Sequence, residues 1–321
     1  MKDSCGRTIE YMRISITDRC NLRCQYCMPD GTDKVSMKDI LTYEEILSLT
    51  RCAAQLGIRW IKITGGEPLV RKNCVFLIRE LKKIPGIEKV TLTTNGILLP
   101  QYGRELWKAG LDGVNISLDT MDREDYIQLT GFDGLVQVLE GLEMMKSLVP
   151  VKINCVSIKE RVEKQWKNLV DLCRTSQVDV RFIELMPIGL GRQFPSMDNQ
   201  EILEQIKREY PQLKPDERRH GNGPAVYYHC HEWPGSVGFI SAVHKKFCSG
   251  CNRIRLTARG RLKTCLCYDQ GVDLLSMIRR GAEDEEIRKA MEKAVWEKPA
   301  AHCFDRPEEI TEEDMMSGIG G

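Results

Sequence analysis

Residues 12–27 read Met12-Arg13-Ile14-Ser15-Ile16-Thr17-Asp18-Arg19-Cys20-Asn21-Leu22-Arg23-Cys24-Gln25-Tyr26-Cys27. From Arg13 to Thr17 polar and apolar residues alternate, the period of a β-strand with one buried face. Three thiols follow at once on the segment that leaves this strand. A second thiol set lies near the other end: Cys248, Cys251 and, further on, Cys265. Each set stops at three. A closed structural zinc site takes four ligands, and an ordinary cubane iron–sulfur cluster takes four cysteines. Three ligands leave one coordination position open, as a catalytic metal centre requires.

Working outward, the same alternation recurs along the chain. The pattern predicts strands over 12–17, 60–64, 89–94, 113–119, 151–156 and 180–186. Helical periodicity between them covers 42–55, 73–83, 102–109, 135–147, 164–176 and 199–210. Repeated β-then-α segments imply parallel strands joined by right-handed crossovers. Six strands are too few for the usual eight-stranded barrel, so the expected fold is α/β, a partial (β/α)6 TIM-like barrel.

Parallel strands buried on both faces should read as nearly continuous Val, Ile and Leu. Here one face is polar. Ile61 and Ile63 flank Lys62; Val90 and Leu92 alternate with Thr91 and Thr93; Val114, Ile116 and Leu118 with Asn115, Ser117 and Asp119; Val151 and Ile153 with Lys152 and Asn154. The apolar set is expected to face the helices and the polar set the barrel axis. A polar lumen is a poor packed core, because each unpaired buried polar group costs on the order of several kcal/mol. It reads instead as a cavity for a polar, anionic ligand. Arg13, Lys62 and Lys152 suit a polyphosphate; the alternative for each is an ion pair with a lumen carboxylate such as Asp119. An antiparallel sheet with one wet face is the competing architecture, and the helical segments fit crossovers better than hairpins.

After Pro224 the pattern changes. Short strands are expected over 227–231 and 236–241, a hairpin over 253–257 and 261–265, and helices over 274–280 and 283–293. A polar tail over 308–321 ends Gly320-Gly321. A boundary in 211–224 would divide the chain into a barrel, 1–225, and a smaller α+β domain, 226–321. At 321 residues the chain exceeds the size at which one core keeps growing. A net charge of +1 provides no basic field for nucleic acid. No apolar run reaches membrane-spanning length, and the N-terminus has no secretory h-region. Fourteen cysteines in such a chain argue for metal binding in a reducing, cytoplasmic setting, not for a disulfide framework.

The second strand exit reads Thr64-Gly65-Gly66-Glu67-Pro68. Paired glycines permit close backbone approach, and Glu67 is expected to accept hydrogen bonds from an ammonium group. Together with Cys20, Cys24 and Cys27, this motif resembles the radical S-adenosylmethionine superfamily. There a Cys-x3-Cys-x2-Cys motif binds a [4Fe-4S] cluster and a Gly-Gly-Glu-Pro motif holds the methionyl amine. A zinc site completed by a distant ligand is the alternative for the three thiols. The second set narrows the resemblance. Phe247-Cys248-Ser249-Gly250-Cys251-Asn252-Arg253-Ile254-Arg255 leads into the hairpin and Cys265 leaves it. Arg253 and Arg255 share one strand face, and Arg grips phosphate or a purine edge through two donors. With the terminal Gly320-Gly321, these motifs resemble the family of GTP 3′,8-cyclases, from Arg13 to the end of the chain.

The resemblance implies the following. Cys20, Cys24 and Cys27 hold the radical-generating cluster. Tyr26, Gly65, Gly66, Glu67, Ser117 and Met186 form the S-adenosylmethionine site. Cys248, Cys251 and Cys265 hold an auxiliary [4Fe-4S] cluster that takes the guanine. Arg13, Lys62, Thr93, Lys152, Arg181, Arg253, Ile254 and Arg255 bind GTP, with Arg13, Arg253 and Arg255 closest to catalysis. The reaction makes (8S)-3′,8-cyclo-7,8-dihydroguanosine 5′-triphosphate through a 5′-deoxyadenosyl radical, the first step of molybdenum cofactor biosynthesis. The implied partners are a small-molecule or flavodoxin-type electron donor, cyclic pyranopterin monophosphate synthase as recipient of the product, and a second copy in a homodimer. A peptide-modifying radical enzyme with an auxiliary cluster, or a non-catalytic zinc or iron–sulfur module, are the rivals. Lys62 stands where the family often has Arg. Cys267 competes with Cys265 as the third auxiliary ligand, and His244 is read as a loop residue, with completion of a zinc site as its alternative. His229 and His231 are read as surface residues. Cys5, Cys52, Cys74, Cys155, Cys173 and Cys303 are isolated and are expected to behave as small hydrophobes.

Overall fold

The computed structural model describes residues 1–31 and 35–320. Six parallel strands come first: β1 (Tyr11–Ser15), β2 (Trp60–Thr64), β3 (Lys89–Thr94), β4 (Gly113–Ser117), β5 (Val151–Val156) and β6 (Val178–Ile183). They lie side by side in chain order, as the alternation of β and α segments predicts. Short strands follow: β7 (Lys214–Pro215), β8 (Val226–His229), β9 (Val237–Ile240), β10 (Arg253–Leu256), β11 (Arg261–Lys263) and β12 (Gly271–Asp273). β9 adds in parallel to β6, and β10 adds in parallel to β1. Eight parallel strands thus stand in a row, yet β9 and β10 occupy opposite flanks and do not pair. The barrel stays open. Residues 241–252, which carry Cys248 and Cys251, run from one flank to the other. The strands β8 to β12 therefore extend both ends of one sheet, and no break in the sheet marks the expected 225/226 boundary.

Helices α1 (Tyr43–Gln55), α2 (Cys74–Lys82), α3 (Leu99–Lys108), α4 (Arg123–Thr130), α5 (Leu135–Lys146) and α6 (Lys159–Thr175) pack outside the first six strands. α1 starts at a capping box: Thr42 Oγ1 accepts from the Glu45 N–H, and Glu45 accepts from the Thr42 N–H. α3 starts three residues earlier than the periodicity predicts, because Pro100 suits a first turn. α4 is absent from the expected set. Its signals are local: Asp122 caps the Asp125 N–H, and Gly131 closes the helix at φ +70°. The remaining helices are α7 (Asn199–Glu209), α8 (Leu274–Arg279), α9 (Asp284–Trp296) and a single turn in the tail, α10 (Met316–Ile319).

The strand faces divide as the alternation predicts. Ile14, Ile61, Ile63, Leu92, Ile116, Ile153, Val180 and Ile254 are buried against the helices in one core. Arg13, Lys62, Thr91, Asn115, Lys152 and Asp179 form the opposite face; each of these six except Lys62 and Asn115 is half-buried rather than buried. All fourteen thiols are free. Cys52, Cys74, Cys155 and Cys173 are buried in the core, and Cys5 is exposed.

Candidate active site

The strand exits of β1 and β2 meet through backbone. The Gly66 N–H donates to the Thr17 carbonyl oxygen at 2.7 Å, and the Glu67 N–H to that of Arg19 at 2.8 Å. A Cβ on Gly65 would lie 2.6 Å from the Thr17 carbonyl oxygen; one on Gly66 would lie 2.6 Å from that of Asp18 and closer still to that of Arg19. Only glycines let the cysteine-bearing loop sit this close. One cavity of about 340 Å³ opens there, a size typical of small-molecule sites.

Its wall holds Cys20, Cys24 and Cys27 and also Cys248, Cys251 and Cys265. The two thiol sets, some 220 residues apart in the sequence, thus face one space. Tyr26, Gly65, Gly66, Ser117, Met186, Arg13, Thr93, Arg253 and Arg255 share the wall. Cys267 does not. It is buried against Cys303, with Sγ atoms 2.8 Å apart. The hairpin strand ends at Lys263, so strict alternation no longer places residues 265 and 267 on one face.

Several expected residues stand off this wall. Glu67 is buried and already serves three internal donors: the Leu69 N–H and Thr94 hydroxyl at Oε1, 2.9 and 2.8 Å, and the Asn95 N–H at Oε2, 2.7 Å. It ties the β2 exit to the β3 exit. Burial pushes its carboxyl up to about 7, against the pull of these donors. The Ile254 side chain points into the core, because it alternates with Arg253 and Arg255. Lys62, Lys152 and Arg181 face the lumen beyond the cavity wall. Lys152 pairs with Asp179 at 3.3 Å and donates to Tyr227 Oη at 3.2 Å and to the His220 carbonyl oxygen. Asp119, read as a possible partner for such cations, instead accepts from Tyr26 Oη at 2.8 Å and the Val156 N–H at 2.7 Å. Burial raises its carboxyl to about 6. His244 turns to Glu184, with its N–H and Nδ1 at 3.0 and 3.1 Å from the carboxylate oxygens.

The electrostatics of the lumen are one-sided. Arg13 stands opposite Lys62 on one side and Arg255 on the other. Burial lowers Lys62 well below the usual lysine value, and Arg181, Arg13 and Lys152 push it further. Burial likewise lowers Arg255, with Arg13 and Arg253 adding to it. Cys251 stands apart, since burial raises Cys265 as it does the first set. Burial raises Cys20, Cys24 and Cys27, the last to about 11. At Cys251 burial also acts to raise the thiol, but Lys298, Arg253 and hydrogen bonds outweigh it and hold it below the usual value.

The tail enters the same space. Met316 and Ser317 are on the cavity wall, and a Cβ on Gly320, at φ +76°, would meet Ser15 Cβ at 3.1 Å. Gly321 lies outside the described residues. Asn95, read from the alternation as part of the polar lumen face, is on the wall; Arg7, Lys298 and His302, also there, were missed and carried no local signal.

Fold and site define a radical S-adenosylmethionine enzyme: an open parallel barrel with its three-cysteine loop at a strand exit. The family model described as "Radical SAM superfamily" matches residues 14–173, and "Molybdenum Cofactor Synthesis C" matches residues 178–304. The chain belongs to the GTP 3′,8-cyclase family. It is 43% identical to the GTP 3′,8-cyclase of Clostridium perfringens over 100% of both chains. It is also 43% identical to that of Moorella thermoacetica over 100% of both. Among solved structures it resembles Streptococcus suis SuiB bound to S-adenosylmethionine, at 16% identity and TM-score 0.64, covering 87% of this chain and 67% of that one. SuiB bound to the precursor peptide SuiA gives TM-score 0.66 at 16% identity, covering 92% and 66%. These likenesses concern the fold. Among the described residues no helix is long and apolar enough to cross a membrane.

Proposed function

We propose that this chain converts GTP to (8S)-3′,8-cyclo-7,8-dihydroguanosine 5′-triphosphate, the reaction in its relatives' name and the first step of molybdenum cofactor biosynthesis. The observation that carries this reading is the placement of two three-thiol sets on one cavity with a cluster of buried and half-buried cations beside it.

Both sets fit an iron–sulfur cluster better than a lone ion. Thiolates on one tetrahedral zinc lie about 3.8 Å apart. Among the described residues the one metal-capable group closing within 4.8 Å is Glu184, Asp198 and His244, so neither thiol set is drawn that tight. In this reading Cys20, Cys24 and Cys27 hold the radical-generating [4Fe-4S] cluster, and Cys248, Cys251 and Cys265 hold an auxiliary one. When bound, the first cluster and S-adenosylmethionine supply the radical chemistry that removes the ribose 3′ hydrogen.

The chain's own residues do the positioning. Tyr26, Gly65, Gly66, Ser117 and Met186 line the S-adenosylmethionine side, with Glu67 shaping the loop from behind. Arg13, Lys62, Lys152, Arg181, Arg253 and Arg255 hold the triphosphate, whose charge relieves their mutual repulsion. Thr93 borders the ribose, and the Ile254 backbone lies between the two arginines. Holding reacting atoms in line contributes roughly 7–11 kcal/mol of barrier lowering. β9 and β10 flank the barrel's open side, and Met316 and Ser317 of the tail line the cavity, which limits the entry of water. Fourteen free thiols suit a reducing cytoplasm, with a flavodoxin-type or small-molecule electron donor, cyclic pyranopterin monophosphate synthase as the recipient of the product, and a homodimer as the assembly.

The test is an anaerobic assay with S-adenosylmethionine, a reductant and each nucleoside triphosphate in turn, read by mass spectrometry. The cyclic product should appear from GTP. Turnover of a peptide with no nucleotide product would favour the peptide-modifying rival instead.

A further inference from the structure

The segment Lys298-Pro299-Ala300-Ala301-His302 follows α9 and runs along the cavity wall beside the second thiol set. Arg7 staples it there. The buried guanidinium donates from Nη1 to the carbonyl oxygens of Cys248 and Ala300, both at 2.9 Å, and from Nη2 to that of Pro299 at 2.7 Å. Asp3 holds Arg7 from behind at 2.5 Å. One side chain thus fixes the segment and the first cysteine of the set together.

Two polar side chains of this segment reach the site. Lys298 is 4% exposed; its Nζ donates to the Thr264 carbonyl oxygen, and its electrostatic partners are Cys251 and Cys265. His302 is 6% exposed. Its N–H donates to Cys248 Sγ at 3.4 Å, and its ring stacks on Phe304 with centroids 4.4 Å apart. Nδ1 accepts from the Phe304 N–H at 3.3 Å, so the neutral ring carries its proton on Nε2. That Nε2 is buried and has no protein partner. An unmet buried donor is costly, a cost that a sulfur acceptor in the cavity would offset.

We propose that His302 and Lys298 are the outer shell of the auxiliary cluster: the His302 Nε2–H donates to sulfur held there, and Lys298 supplies the counter-charge. This rests on the reading that Cys248, Cys251 and Cys265 hold a cluster. Reduction potentials of such clusters follow net charge and hydrogen bonds to sulfur, and outer-shell partners tune a centre they do not ligate. One-electron reduction adds negative charge, so a donor and a cation both favour the reduced form. His302 and Lys298 are positioning residues that raise the potential.

The test uses the full chain, anaerobically reconstituted, in a Cys24→Ala background that leaves only the second set loaded. Iron analysis should find about four irons. Redox titration followed by electron paramagnetic resonance should show a lower potential and an altered spectrum for His302→Leu at unchanged iron. His302→Gln, which keeps an N–H donor, should move back toward the parent, and Lys298→Met should also lower the potential. Parent-like potential and spectrum in His302→Leu would overturn the proposal. So would equal loss of iron in the Leu and Gln variants, which would mark a packing role. Absence of iron from the Cys24→Ala parent would overturn the underlying cluster reading, a failure told apart from that of His302 alone.

Discussion

Arg255 donates from Nη1 to the carbonyl oxygen of Gly320 at 2.8 Å. A cation of the lumen thereby holds the tail inside the barrel, next to the exits of β1 and β2. Gly320 adopts φ +76°, and a Cβ there would sit tightly, 3.1 Å from Ser15 Cβ. A left-handed conformation costs an ordinary residue roughly 1–2 kcal/mol. Gly320→Ala should therefore loosen the tail and lower turnover about tenfold or more, with iron content and S-adenosylmethionine binding unchanged. Parallel iron analysis and single-turnover assays check this.

Loss of one lumen arginine should weaken nucleotide binding without touching the metal sites. Arg13→Ala or Arg255→Ala removes a half-buried cation that faces the proposed triphosphate, a loss worth roughly 2–5 kcal/mol in charged pairs. Isothermal titration should show GTP affinity down by more than tenfold. Iron per chain should stay constant.

The two thiol sets should separate by variant. Cys24→Ala should stop deoxyadenosine formation. Cys251→Ala should retain the first cluster and S-adenosylmethionine cleavage but yield no cyclic nucleotide. Chromatography of deoxyadenosine and nucleotide products from the same reactions checks both.

How much of this was legible in the sequence depends on whether a feature is local. The polar strand faces and the loop after β1 follow period two and chain order, so Arg13, Lys62 and the three thiols could be assigned to the lumen and its rim directly. Alternation also forbids Ile254 from the lumen, since Arg253 and Arg255 are there. The internal contacts of Glu67 were not legible, because Thr94 and Asn95 come from the next strand and only folding brings them within 3 Å. The same holds for Lys298 and His302, whose segment is tied to the second thiol set by Arg7, almost three hundred residues earlier, as well as by the His302 N–H on Cys248 Sγ. Cys265 and Cys267 look equivalent in sequence and separate only because the chain leaves the sheet after Lys263.

Nucleotide affinity should depend on pH through Lys152. Burial first, then Arg181, lowers its ammonium to about 8, against the pull of Asp179. Below that pH the free enzyme presents the cation; above it the group is neutral. A bound triphosphate favours the charged form, so affinity should be full below pH 8 and fall as pH rises from there toward the higher value of the complex. Binding isotherms at stepped pH should show this fall, and Lys152→Met should flatten it.

The central claim is that GTP lies with its ribose toward the first thiol set and its base toward the second. GTP deuterated at C3′, incubated anaerobically with S-adenosylmethionine and a reductant, addresses it most directly. The account predicts deoxyadenosine that carries the deuterium, formed together with the cyclic nucleotide. Deoxyadenosine free of deuterium alongside that product would contradict it.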